Sequence, residues 1–257
     1  MRKNSVRKAL SQCRLSMGSW IQIGNHEVVE ILAASGFSWL AIDREHTAIE
    51  LGDLPPLFTA MEKHNVVPFV RVAENNPIEI RKTLDLGAKG VIVPLVNSEL
   101  EARRAVAAAR YSPRGVRGYS FSRANLYGRE FREELEDAEE NIAVIAMIES
   151  REAVENIHEI LAVEGIDGVF VGPYDLSGSY ALPGELDALV VQDAIGEVLA
   201  SCKKHGKSAG MHIVMPEPGT IKRAITRGFT FLALGMDTSL LRVAADKVLH
   251  GWEKPDV

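Results

Sequence analysis

Cysteine is scarce in this chain: Cys13 and Cys202 are the only two in 257 residues. A disulfide framework is excluded, and a reducing cytoplasm is the expected compartment. Excess positive charge is missing too. Lys and Arg number 29 against 35 Asp and Glu, for a net charge of −6, which argues against nucleic acid or an anionic membrane as partner. Apolar runs such as 142–148 are too short to span a bilayer. The basic opening MRKNSVRKAL leads into no apolar stretch, so a frayed, solvated start is expected there rather than a targeting signal. No Gly-x-Gly-x-x-Gly follows the first strand-like run and no complete Gly-x-x-x-x-Gly-Lys-Ser/Thr loop occurs, which removes the usual nucleotide sites. (The triplet Gly206-Lys207-Ser208 lacks the leading glycine.) Low-complexity stretches and linkers are absent, and residues 1–257 read as one domain.

What the chain does have is alternation. Short apolar runs fall at 20–24, 39–43, 66–72, 91–95, 142–149, 169–173, 208–214 and 229–235. Helical patterns separate them near 26–35, 53–64, 77–86, 98–110, 151–161, 188–205 and 217–227, with a last one near 238–250. Helix starts carry caps: Asn76-Pro77-Ile78-Glu79 puts proline at the first position, and Ser98 with Glu101 makes a capping box. Helix ends carry Gly36, Asn65, Gly87, Gly165, Gly206 and Gly228, residues that accept a left-handed backbone. Eight strands and eight helices predict an α/β fold, a (β/α)₈ TIM barrel. One connection breaks the rhythm: residues 111–141, after the fourth helix, form a long insert with a basic, Gly-rich half and an acidic helix near 129–140.

In such a barrel the polar residues that end the strands converge on one mouth. The unit 142–177 delivers one carboxylate from each of two neighbouring strands, Glu149 and Asp175, a pair suited to a divalent, oxygen-liganded metal. The second strand ends in Asp43-Arg44-Glu45-His46, and Arg71 stands as a cation inside the apolar third run. Each has a plain structural reading as well. Glu149 suits a helix start, Asp175 an N-cap for 176–180, Arg71 an ion pair, and Asp85, His212 and Asp237 ordinary packing roles. Their co-location at one barrel end is what favours a site.

Asp43-x-Glu45-His46, Arg71, Met147-Ile148-Glu149 and Gly168-Val-Phe-Val-Gly-Pro-Tyr-Asp175-Leu-Ser177 together resemble the HpcH/HpaI aldolases, metal-dependent class II pyruvate aldolases, from Gly18 to about Leu241. The resemblance implies a phosphoenolpyruvate/pyruvate-type barrel that reversibly cleaves a 4-hydroxy-2-oxo acid into pyruvate and an aldehyde through a metal-held pyruvate enolate. It makes Glu149 and Asp175 the ligands of a divalent ion, Mg²⁺ or Mn²⁺ with Co²⁺ a further candidate. Arg71 becomes the residue that stabilises the enolate, and Gly172, Pro173, Tyr174 and Asp175 line the substrate with it. His46 and Glu45 become a dyad that works through water as base. Asp43 and Asp85 become supporting carboxylates, Asp85 orienting His46 of its own or a neighbouring subunit. A homohexamer, a trimer of dimers that exchange their C-terminal helix, is also implied.

Three positions depart from the family's pattern. Tyr174 stands where alanine is common, Arg44 interrupts the Asp-x-Glu-His motif, and the seventh strand carries His212 in a run that is usually small and aliphatic. No lysine falls in the fifth or sixth strand, which disfavours Schiff-base chemistry. Arg44, Arg114, Arg117 and Arg123 are candidates to meet a carboxylated aldehyde, or else to pair with the acidic helix of the insert. The rival readings are a citrate lyase β-like or malyl-CoA lyase-like enzyme, isocitrate lyase-like or phosphoenolpyruvate mutase-like chemistry, and a non-catalytic barrel that binds a keto acid.

Overall fold

The computed structural model describes residues 3–250. In chain order its elements begin with α1 Ser5–Ser11, β1 Ser16–Ile21, α2 His26–Ala34, β2 Trp39–Asp43, α3 Leu54–Lys63, β3 Val67–Arg71, α4 Pro77–Asp85, β4 Gly90–Val93 and α5 Glu99–Ala109. They continue with α6 Phe131–Asn141, β5 Ala143–Ile148, α7 Arg151–Glu155, α8 Ile157–Ala162, β6 Gly168–Val171, α9 Pro173–Ser179, α10 Leu189–His205, β7 Ser208–Ile213, α11 Pro218–Arg227, β8 Phe231–Met236 and α12 Asp237–His250. The eight strands pair in parallel, in sequence order, and β8 closes on β1. The TIM barrel expected from the alternation is the fold.

Two apolar cores hold it. The larger lies between strands and helices and takes one face of every strand, for example Leu40 and Ile42 of β2 against Leu57 and Phe58 of α3. The smaller fills the barrel interior with Trp20, Trp39, Phe69, Ile92, Ile145, Met147, Phe170 and Phe231. Trp39 stacks on Phe231 with ring centroids 4.2 Å apart, and Phe170 meets Phe231 edge to face at 5.8 Å. Such rings fit only because glycines face them. A Cβ at Gly18 or at Gly90 would stand 2.1 Å from the ring of Trp39 or Phe69. Large and small residues thus alternate around the interior, as dense packing requires.

The N-terminus is not frayed from residue 4 onward. Asn4 caps α1 and donates to the carbonyls of Lys89 and Asn141, each within 2.9 Å. Val6 and Leu10, both 1% exposed, then enter the barrel's interior core from the end opposite the mouth. A seven-residue amphipathic helix is marginal alone, and its stability comes from plugging this opening. The first strand also begins at Ser16, four residues before the expected start, where Ser16, Met17 and Gly18 pair in register with Phe231, Leu232 and Ala233 of β8. The helix expected over 151–161 divides at Asn156, whose side-chain amide donates to the carbonyl of Asn97 at 2.8 Å while its backbone N–H still bonds the Glu152 carbonyl.

Candidate active site

Parallel strands of a closed barrel all end at the same rim, so side chains in the last strand positions face one another. Asp43 and Arg71 are register partners at the ends of β2 and β3. Arg71 donates from Nε to Asp43 Oδ1 at 2.9 Å and from Nη2 to Oδ2 at 2.7 Å. Its Nη1 lies 3.0 Å from Glu45 Oε2, an ion pair without hydrogen-bond alignment. The guanidinium also covers the Trp20 ring, 4.8 Å from its centroid. Of its five N–H groups two are hydrogen-bonded and a third lies toward Glu45, which leaves one each on Nη1 and Nη2 for a ligand.

Asp43 is fully buried and accepts further bonds from the backbone N–H of Glu45 and His46 and from Gln22 Nε2, at 3.1, 3.3 and 3.3 Å. Burial alone pushes its carboxyl up, but the Arg71 fork outweighs this and holds it below the usual aspartate range. Glu45 goes the other way: burial raises it, Arg71 opposes, and the charges of Asp43 and Asp175 add to the rise. His46 is exposed, with Nε2 3.5 Å from Glu45 Oε2.

The acid pair forms on the next strands. Glu149, 4% exposed just after β5, accepts the Leu95 N–H at 2.7 Å through Oε1. Leu95 holds a left-handed backbone, φ +51°, an unfavourable conformation for leucine that aims this N–H at the carboxylate. The other oxygen faces Gly172, where an added Cβ would sit 2.9 Å from Oε2. Burial drives the Glu149 carboxyl up to about 7, the Leu95 N–H opposes, and Glu45 and Asp175 raise it further. Asp175 lies in the first turn of α9, whose N-cap is Gly172, so it does not itself cap the helix. It is exposed toward the mouth, and no hydrogen bond or ion pair occupies it among the described residues. Two carboxylates, one buried and held at a single oxygen and one unpaired, are a donor set that fits a hard divalent cation with sites to spare for water or substrate. Among the described residues no group of three or more His, Cys, Asp and Glu side chains converges to enclose an ion.

A cavity of about 130 Å³ opens at this mouth, and Glu45, His46 and Glu149 are not among the residues that line it. Asp43, Arg71, Gly172, Pro173, Tyr174 and Asp175, all candidates from the sequence, line it. Trp20, Gln22 and Met236 line it as well, outside the motifs read from the sequence, and so do Met147 and Phe170, which those motifs contain but which were given no role there. Their signal was inward strand phase: Trp20, Met147 and Phe170 lie in the interior core below the mouth. His212 on β7 is a further lining residue. By contrast Asp237, buried, is consumed by the backbone N–H groups of Gln22 and Ile23, 2.8–3.0 Å away, and keeps its structural reading.

Other candidates point elsewhere. Asp85 ends α4, which runs back from the mouth to the opposite rim. There it accepts from Arg117 Nη2 at 2.9 Å and from Ser120 Oγ at 3.3 Å, so its contacts within the chain do not orient His46. The 111–141 insert joins α5 to β5 at that same far rim, and its arginines pair there. Arg117 is buried between Asp85 and Glu134, Arg114 lies 3.4 Å from Glu139, and Arg123 binds Glu62 at 2.8 Å. Arg44 pairs with Glu79 and Glu50. None of these arginines lines the mouth cavity, which removes them as receptors of an aldehyde there.

A TIM barrel that gathers an arginine and two acids at its strand ends has groups suited to carbon–carbon lyase chemistry of the aldolase type. Residues 16–244 match the HpcH/HpaI aldolase/citrate lyase family, and the chain belongs to it. It is 36% identical to the 5-keto-4-deoxy-D-glucarate aldolase of Citrobacter koseri over 252 residues, 98% of this chain and 97% of that one. Among solved structures it resembles a HpcH/HpaI aldolase/citrate lyase family protein from Burkholderia cenocepacia, at 29% identity and a TM-score of 0.92, covering 97% of this chain and 99% of the other. It also resembles the citrate synthase SbnG, at 31% identity and a TM-score of 0.86 with 97% of both chains covered. Among the described residues no helix is long and apolar enough to cross a membrane.

Proposed function

We propose that the chain is a divalent-metal-dependent aldolase that reversibly cleaves a 4-hydroxy-2-oxo acid into pyruvate and an aldehyde. The observation that carries this is the charge arrangement at the mouth. Arg71 is the cation there and is already tied to Asp43 and Glu45, while Glu149 and Asp175 have none of their own. A carboxylate pushed up to about 7 by burial, with the charges of Glu45 and Asp175 adding to the rise, is a site that gains from a second positive charge. Glu149 and Asp175 would hold it. Bound there, a divalent ion supplies Lewis acidity that polarises a 2-oxo group and acidifies the adjoining C3–H.

The chain's own groups account for the rest. Removal of the proton from the C4 hydroxyl lets the C3–C4 bond break, its electron pair passing toward the 2-oxo group, and C3 then takes up a proton. Arg71 offers its two uncommitted N–H groups to the oxygen on which charge grows, an effect worth about 3–4 kcal/mol for one well-placed donor elsewhere. Asp43 holds that fork in place. His46 moves the proton through water, with Glu45 beside it, and its exposure gives it access to solvent. Trp20, Phe170 and Met236 keep the floor of the cavity apolar.

The small cavity supports a small acid over a coenzyme A thioester, since sites for drug-sized ligands run to about 300–1,000 Å³. The C. koseri relative is named for a keto-deoxy sugar acid, and we take hydroxylated acids as the substrate class. We also propose a homo-oligomer that buries α12, whose Leu241, Val248 and Leu249 are 64–74% exposed in the single chain. Asp85 of a neighbouring subunit remains the proposed orienter of His46. Pyruvate release from a panel of 4-hydroxy-2-oxo acids, with and without EDTA, tests the activity. Release that EDTA abolishes supports it; equal release in EDTA overturns the metal dependence.

A further inference from the structure

His212 sits on β7, where the family pattern has a small aliphatic residue, and its ring lines the cavity beside Asp43, Arg71 and Asp175. Two contacts fix the ring. It stands edge-on to Trp20, 6.2 Å between centroids and 69° between planes. Its Nε2 lies 3.1 Å from the carbonyl oxygen of Gly235 at the end of β8. A carbonyl only accepts, so Nε2 carries the hydrogen and donates it. Burial, with Arg71 nearby, drives the imidazole down to about 4 against the opposing Gly235 bond and Asp43 charge, so the ring is neutral at pH 7. In that tautomer Nδ1 holds a lone pair, and no hydrogen bond to it occurs among the described residues.

We infer that His212 is a specificity residue of this site, its Nδ1 accepting a hydrogen bond from a hydroxyl group on the substrate beyond those groups that any 2-oxo acid carries. The inference rests on the aldolase reading and deepens it. An aliphatic residue at this position leaves a hydroxyl in the cavity unpaired, whereas Nδ1 pairs it. The neighbouring N–H donors of Arg71 cannot substitute, since they would compete for the oxygen, not the hydrogen, of that hydroxyl. Sites built to bond a hydroxyl discriminate strongly against the analogue that lacks it, because the site's own polar group is then stranded.

The hydroxyl can come from either half of the reaction, and two arms separate the sources. In the acceptor arm, kcat/KM is measured for aldol addition of pyruvate to glycolaldehyde and to propanal, which differ by a hydroxyl for a methyl. In the donor arm, calorimetry measures the affinity for hydroxypyruvate relative to pyruvate in the Mn²⁺-loaded protein. Wild type is compared with His212→Leu, which removes the acceptor atom, and with His212→Gln, whose amide oxygen restores one; thermal unfolding confirms that each is folded. The expected result is a preference for the hydroxylated member in at least one arm, reduced about tenfold in the leucine variant and largely kept in the glutamine variant. Ratios that are the same in all three proteins, in both arms, overturn the role of His212. Deuterium exchange into C3 of pyruvate by the wild type reports the underlying chemistry separately: without it the aldolase reading itself falls.

Discussion

Arg71 grips Asp43 through two parallel hydrogen bonds, 2.9 and 2.7 Å long, between register partners on adjacent strands. That fork ties the charge of β3 to the rim of β2 and leaves two N–H groups facing the cavity. Lysine keeps the charge but not the planar geometry. Arg71→Lys should therefore fold, with a melting temperature within several degrees of wild type, yet lose about 10²–10³-fold in kcat, the range for removing one preorganised donor. Wild-type turnover in this variant would show that Arg71 serves only to hold Asp43.

Glu149 makes a prediction in two parts. With its carboxyl raised to about 7 by burial and by acidic neighbours, the ionised form burdens the metal-free fold. Stability contributed by the protonated form is complete below about pH 4.5 and is lost as pH rises through 7. In EDTA, Glu149→Gln should thus be more stable than wild type at pH 8, and the difference should shrink toward pH 5. The same variant, and Asp175→Asn, should bind Mn²⁺ more than about 100-fold more weakly by calorimetry, beyond the 10–100-fold typical of losing a supporting group. Undiminished Mn²⁺ affinity in both would place the ion elsewhere.

His212 has the opposite sign. Its imidazole is held near 4 by burial, while an unfolded chain takes up the proton near 6.5. The neutral ring contributes stability above pH 6.5 that is lost as pH falls toward 4. Relative to His212→Gln, wild type should lose roughly 2 kcal/mol between pH 7 and 4.5, since each pKa unit is about 1.4 kcal/mol and part is screened by solvent. Urea unfolding at the two pH values measures it; parallel profiles would mean the ring is not desolvated.

Much of this is legible in the amino-acid sequence, and the reason is local. Glycine and asparagine at helix ends, capping residues at helix starts and short apolar runs mark elements through interactions within a few residues, and β2 to β8 lie where those signals place them. The mouth residues were legible because strand phase and strand end are local as well. What was missed depends on distant partners. Val6 and Leu10 acquire a role only when eight strands leave an opening to plug. Arg114, Arg117 and Arg123 look available in the sequence; Glu139, Glu134 and Glu62 claim them only because the insert returns to the far rim. His212 reads as ordinary until the Gly235 carbonyl fixes its tautomer.

The plug can be tested on its own. Leu10→Ala should cost about 2–5 kcal/mol in urea unfolding, the range for a fully buried leucine. Being at the opposite end of the barrel, it should change kcat less than twofold. A cost below about 1 kcal/mol would mean that α1 is only loosely seated.

Assembly is checked by light scattering. The family resemblance implies a hexamer, the exposed apolar face of α12 offers it a surface to bury, and truncation before Leu240 should reduce its order. A stable, active monomer at micromolar concentration would contradict the expectation.

The most direct measurement follows deuterium from D₂O into the methyl group of pyruvate by NMR, because it needs no knowledge of the aldehyde. The wild type with Mg²⁺ or Mn²⁺ should catalyse exchange that is abolished by EDTA, restored by added metal, and lost in Glu149→Gln. Exchange that persists at full rate in EDTA, or none under any metal, would contradict it.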